Sequence, residues 1–312
     1  MHQKENNRYA PPNIPEEAGI PANAQYSAKA RPLPMQRAFA WFGAAWALFR
    51  QQAGWWCGLA SAWTVLSSVS AAAAWAFVPA AVSFFPAVHD FSVVFAMAGV
   101  AYAAERMERQ AHIDWRAGLA ALMRCAGALA LLGLLNAVFG QFLFGAEKAL
   151  AGYAAKMQFK SPQSPLRAVA DLMIYWGWLL FILAYLLPNG AAPILAVCRK
   201  MGAVRAWAAG WRGVWRNVGG TTLAAVLATL SELAVRVVLS LAEVLVRPEV
   251  TPITAADTVP PMWFLWIKAL AGDIFGLWLM LMLYAAYRDV FFEPAEQNRL
   301  PENADSNEIG VD

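Results

Sequence analysis

GWWCGLASAWTVLSSVSAAAAWAF, residues 54–77, runs without one Asp, Glu, Lys or Arg. At about 1.5 Å per residue, a helix of this length crosses the ~30 Å apolar core of a bilayer. No water is present there to bond the backbone, so a crossing segment must satisfy its own N–H and C=O groups as a helix. Five further apolar stretches follow, near 84–104, 125–145, 172–197, 218–245 and 263–286. The fold class is therefore all-α: a polytopic transmembrane helical bundle, six spans as three hairpins.

Composition agrees. The 312 residues are 60% hydrophobic and 14% charged, where a soluble domain is about 45–50% apolar and about 25% charged. Fifteen Trp suit the headgroup zone, where an amphipathic ring has an apolar and a wet neighbour. A net charge of +3 is too small to point to nucleic acid. Residues 1–36 mix charged residues with six prolines and contain no apolar core of a secretory signal. They read as a disordered cytoplasmic tail. Residues 293–312 read as a second, acidic one, which leaves 37–292 as the transmembrane domain. Cys57, Cys125 and Cys198 are too few for a disulfide framework and read as small apolar filler.

Orientation follows from basic residues beside the spans. With the N-terminus inside, thirteen Lys and Arg flank the cytoplasmic ends, from Arg31 to Arg288. Five lie on the other side, at Lys148, Lys156, Lys160, Arg167 and Arg247. Both termini are expected in the cytoplasm. Pro188, Asn189, Gly190 and Pro193 are expected to kink or break the fourth span.

A repeat precedes each hairpin: RAFAWFGAAWALFR (37–50), DWRAGLAALMR (114–124) and VRAWAAGWRGVWR (204–216). Each ends in two apolar residues and an arginine, with a glycine soon after. The pattern predicts three basic, amphipathic interfacial helices. Trp41, Trp46, Trp211 and Trp215 would dip into the acyl boundary, while Arg50, Arg124 and Arg216 meet anionic headgroups on the cytoplasmic side.

Spans five and six carry charges: Glu232 and Arg236 four apart on one face, and Lys268 and Asp273. Asp273 lies roughly 15 Å from the outer end of span six by helix rise. A charge at the bilayer centre costs ~2.5–3.5 kcal/mol on insertion scales. The four are expected to form an intramembrane network, Arg236 with Asp273 and Glu232 with Lys268, with Glu243 at the interface. Two readings stand. The network is a structural lock on the last hairpin, or it lines a proton or solute path.

Sites for chemistry are sparse. His89-Asp90 and His112-x-Asp114 lack further ligands, so no metal site is expected. No phosphate loop, dinucleotide fingerprint or nucleophile elbow occurs, and no catalytic residue or cofactor is assigned.

Several pieces carry a resemblance: Trp41, Trp46, Phe49 and Arg50 as W-x4-W-x2-FR; PNGAAPILAV in span four; Trp215-Arg216-Asn217; and the ending LYAAYRDVF, residues 283–291. Over about 37–292 the chain resembles a six-span family of Gram-negative inner-membrane proteins with no established activity. The resemblance implies fold and location, in a bacterial inner membrane, and no chemistry. Three functions remain. The first is a non-enzymatic integral membrane protein acting on lipid or a membrane-protein partner. The second is a small transporter or permease with a polar path between spans five and six. The third is a membrane enzyme.

Overall fold

The computed structural model describes residues 25–26, 30–77, 85–109, 114–158, 187–246 and 262–293. Nine helices occur among them: α1 (Arg37–Gln51), α2 (Ala53–Phe77), α3 (Phe85–Glu108), α4 (Trp115–Arg124), α5 (Ala126–Gln158), α6 (Leu187–Arg199), α7 (Ala203–Arg216), α8 (Val218–Val246) and α9 (Met262–Phe291). Beside them, β1 (Gln25–Tyr26) pairs antiparallel with β2 (Phe292–Glu293), Tyr26 opposite Phe292.

The chain is helical, as its apolar runs require. Among the described residues three helices are long and apolar enough to cross a membrane: Ala87–Glu108 within α3, Val218–Glu243 within α8, and α9. The pair α4 and α5, bent by 73°, makes a fourth if taken as one broken span. Helix α2 coincides with the first expected span. Helix α5 continues unbroken to Gln158, past the end expected near 145. Of the expected fourth span, α6 supplies the second half, with Pro188 in its first turn and Pro193 inside it. Residues 172–186, both tails beyond β1 and β2, and the loop 247–261 lie outside the described residues.

The sequence repeat has a structural counterpart. Each of α1, α4 and α7 is followed by one non-helical residue and then a long helix. The breaks are Gln52, Cys125 and Asn217, and the first falls one residue later after its arginine than the other two. At each break the N–H turns back three residues, Gln52 to Phe49 O, Cys125 to Leu122 O and Asn217 to Val214 O, at 3.0–3.3 Å. Each break's own carbonyl then accepts the bond that starts the next helix, from Trp56, Leu129 and Thr221. Asp114 caps the start of α4 by accepting from Arg116 N at 2.9 Å. Lys200, with φ of 54°, closes α6 in the left-handed region and turns the chain into α7.

Helix α9 is the hub, packed against α1, α2, α3 and α6; α3 lies along α5 and α6, and α7 lies on α6. Apolar contact gains little from lipid exclusion, so helices associate by close approach of small residues. The buried alanines follow that rule: Ala38 and Ala45 on α1, Ala98, Ala101 and Ala104 on α3, Ala192 and Ala196 on α6. Gly133 of α5 sits so near α3 that a Cβ there would lie 2.8 Å from the Phe91 ring and 3.1 Å from its carbonyl oxygen. Of the three membrane-length spans the one in α8 is the least enclosed, with 11% buried against 33% and 28% for those in α3 and α9.

Candidate functional site

At the C-terminal end of α9 the YRDVF residues organise a polar clasp. The Asp289 carboxylate, nearly buried, accepts from Arg37 Nε at 2.7 Å and from Trp41 Nε1 at 3.0 Å, both on Oδ2. Arg37 Nη2 reaches the other oxygen at 3.3 Å. Helix α1 is thereby fastened to α9 through two side chains one turn apart. The pairing is bidentate, the arrangement in which a guanidinium holds a carboxylate most firmly.

The segment before α1 crosses the same place. Arg31 N donates to Val290 O at 2.9 Å, and Arg31 Nη2 to Asp289 O at 3.1 Å. From the other side, the Asn217 amide grips the strap in two directions. Its Oδ1 accepts from Leu33 N at 2.7 Å, and its Nδ2 donates to Arg31 O at 2.9 Å and to Gly213 O at 3.0 Å. Arg216 Nη1 donates to Ala30 O at 2.7 Å. The break residue of the third repeat thus does for an extended segment what a neighbouring strand would do.

A second polar cluster joins α3, α6 and α9 beside the first. The almost fully buried Glu108 carboxylate pairs with Arg288 and accepts from Tyr284 Oη at 2.9 Å. Glu105, one turn earlier, accepts from Arg109 at 2.8 Å and from Arg199 at 3.4 Å. The Arg199 guanidinium also lies 4.2 Å from the Phe292 ring centre, a cation–π contact. A small cavity of about 40 Å³ lies under the clasp between Trp41, Gly210, Gly213, Ala286 and Tyr287, with apolar and small walls. Among the described residues no group of three or more His, Cys, Asp or Glu stands ready for a metal ion.

The intramembrane charges pair differently from the expectation. Arg236 bonds Glu232 of its own helix, at 2.5 and 3.0 Å to one carboxylate oxygen, and does not meet Asp273. Lys268 meets Glu243 at 2.9 Å instead of Glu232. Asp273 takes a hydrogen bond from Thr64 of α2. The reason is packing: α8 approaches α9 sparsely, whereas α2 lies along it. Asp273 therefore faces α2, and α8 satisfies its central pair at the four-residue spacing within one helix.

Of the expected interface residues, Trp41 is corrected: it is 2% exposed and serves the clasp. Trp46 is exposed and stacks on Phe49 at 6.0 Å. On α7, Trp207, Trp211 and Trp215 form a ladder with ring centres 5.7 and 6.1 Å apart. Arg50 and Arg124 are exposed. Arg216 is exposed yet tied to the strap. Sequence reasoning marked Asp289 and Asn217 inside motifs but gave them no role, and it missed Glu105, Glu108, Arg199 and Arg288 as partners. The available signal was charge: acids and arginines at span ends in a chain that otherwise avoids them. Comparison with protein-family models, with curated proteins and with solved structures found no match.

Proposed function

We propose that this is an integral protein of a bacterial inner membrane, with six spans in three hairpins and both termini in the cytoplasm. On this reading it acts without catalysis, by holding anionic lipid at its cytoplasmic face. The observation that carries the reading is the common build of α1, α4 and α7. Helices α1 and α7 each bury a row of small residues, Ala38 and Ala45 or Ala206, Ala209 and Gly213, and α4 buries Ala121. Each leaves an apolar row outside: Phe39 and Trp46; Trp115, Leu119 and Met123; Trp207 and Trp215. Each carries arginine in its last turn. Such helices lie along a membrane surface with aromatic rings at headgroup level, and each basic residue there is worth ~1 kcal/mol toward anionic lipid. The test is Trp quenching in nanodiscs containing brominated phosphatidylglycerol or brominated phosphatidylcholine. Stronger quenching by the anionic lipid is expected, and it should fall to the zwitterionic level in an Arg50→Gln, Arg124→Gln, Arg212→Gln variant. Equal quenching in the original protein would sink the idea.

A second reading, a small permease, is favoured by one contact. Asp273 meets the Thr64 hydroxyl and, among the described residues, no cation. A path requires that Asp273→Asn stop proton-coupled flux at normal abundance. A structural role requires that the same change deplete the protein.

A further inference from the structure

We propose that the membrane-crossing helix α8 docks on α8 of a second copy of this chain through a polar stripe at its centre. The proposal rests on the reading of α8 as a membrane span. Glu232 is the midpoint of α8, fourteen residues from either end. Its side chain is 46% exposed, and that of Arg236 is 73% exposed. Thr229 and Ser240 are also exposed, one turn to either side. Leu233 and Val237 flank the stripe and are exposed as well.

Exposure at this depth means contact with hydrocarbon, where charged side chains occur only against protein or water. Ion pairing within one helix cancels the net charge but leaves both groups facing lipid on their outer sides. The stripe therefore requires cover that is itself polar.

Three features point to a second copy as that cover. First, the stripe complements itself. Two parallel α8 helices related by a two-fold axis along the membrane normal bring equal residues to equal height. Arg236 of each copy then lies within one helical turn of Glu232 of the other. Each guanidinium, with five donors in a planar fork, can bridge both carboxylates. Four charges that sum to zero close into one ring. Second, Thr229, Leu233, Arg236 and Ser240 recur at intervals of four, three and four, the seam spacing of a left-handed helix pair. The small Thr and Ser on either side let the backbones approach. Third, the chain's own apolar stretch 172–186, LMIYWGWLLFILAYL, contains no charged residue. Its side chains carry no charge to pair with Arg236.

Differently tagged copies, co-expressed and extracted from carbonate-washed membranes in native nanodiscs, provide the test. Recovery of either copy in the washed membranes checks the membrane reading by itself; co-isolation of one tag with the other checks the dimer. Wild-type copies should co-isolate. Glu232→Arg, which gives two cations per stripe, and Arg236→Glu, which gives two anions, should each lose co-isolation with themselves. Mixed together, the two variants should regain it, because only the mixed pair is complementary. Should either variant fail to accumulate, oxidative cross-linking of Ser240→Cys with both charges in place decides. A dimer band beyond that of wild type supports the proposal. Three results overturn it: wild-type copies that do not co-isolate, charge variants that associate as well as wild type, or Ser240→Cys that does not cross-link in membranes. In those cases lipid or the chain's own residues cover the stripe.

Discussion

Asp289 shows how much one carboxylate can organise at a junction of basic and aromatic side chains. Arg37, Trp41 and Arg31 all converge on this residue or its carbonyl. Replacing one member of a buried ion pair leaves the other uncompensated, at a cost of about 3–5 kcal/mol. Arg37 is partly exposed and can turn toward water, which places Asp289→Ala at the low end of that range. The expected outcome is a clear fall in the melting temperature of the detergent-solubilised protein. Asp289→Asn should fall between, since its one remaining carbonyl oxygen can still accept from Trp41. A melting curve unchanged by the alanine variant would show that the clasp contributes nothing to stability. At this scale the sequence was only half legible. YRDVF and WRN stood out as motifs, but a motif does not name its partner. The partner of Asp289 lies 252 residues away at Arg37, and only the fold reveals that separation as contact. The same limit explains the misassigned pairs in the membrane. Charge and depth suggested Arg236 with Asp273, but which face of each helix met which neighbour was not written in either helix alone.

Among the elements, the amphipathic pieces were the most legible, because a three- to four-residue alternation of small, large and basic side chains is a one-dimensional signal. Their ends were readable too: an arginine, then a break. What the pattern did not reveal was the role of Trp41, buried beneath its own helix while Trp46 of the same motif stays outside. Both are tryptophans at the same nominal interface, and only packing against α9 separates them. Close packing of α3 and α5 gives an element-level prediction. Gly133→Val would drive a branched side chain into the Phe91 ring and backbone. Overpacking of this kind costs roughly 1–3 kcal/mol. Lower thermal stability is expected, with partial recovery when Phe91→Ala makes room. Equal stability of Gly133→Val and wild type would show that the two helices stand farther apart than described.

For the molecule as a whole, helical class and membrane residence follow from apolar length alone, which is why those features were readable first. The number and order of crossings need side-specific information. Accessibility tags supply it: tags at residues 1 and 312 should be reached only from the cytoplasmic side, and a tag inserted at 160 only from the opposite side. Exposure of the 160 tag on the cytoplasmic side would break the three-hairpin arrangement.

The Asn217 grip carries a consequence for synthesis. The residues it holds, Arg31 and Leu33, leave the ribosome early; Asn217 itself emerges 184 residues after Leu33, and Asp289 258 residues after Arg31. The strap's bonds to Asp289 and Val290 therefore cannot form until α9 has been made and placed. Until then, among the described residues, only Arg216 and Asn217 have emerged to hold it. Full closure thus waits on α9, and a strap held by Arg216 and Asn217 alone marks a molecule in which α9 is missing or wrongly inserted.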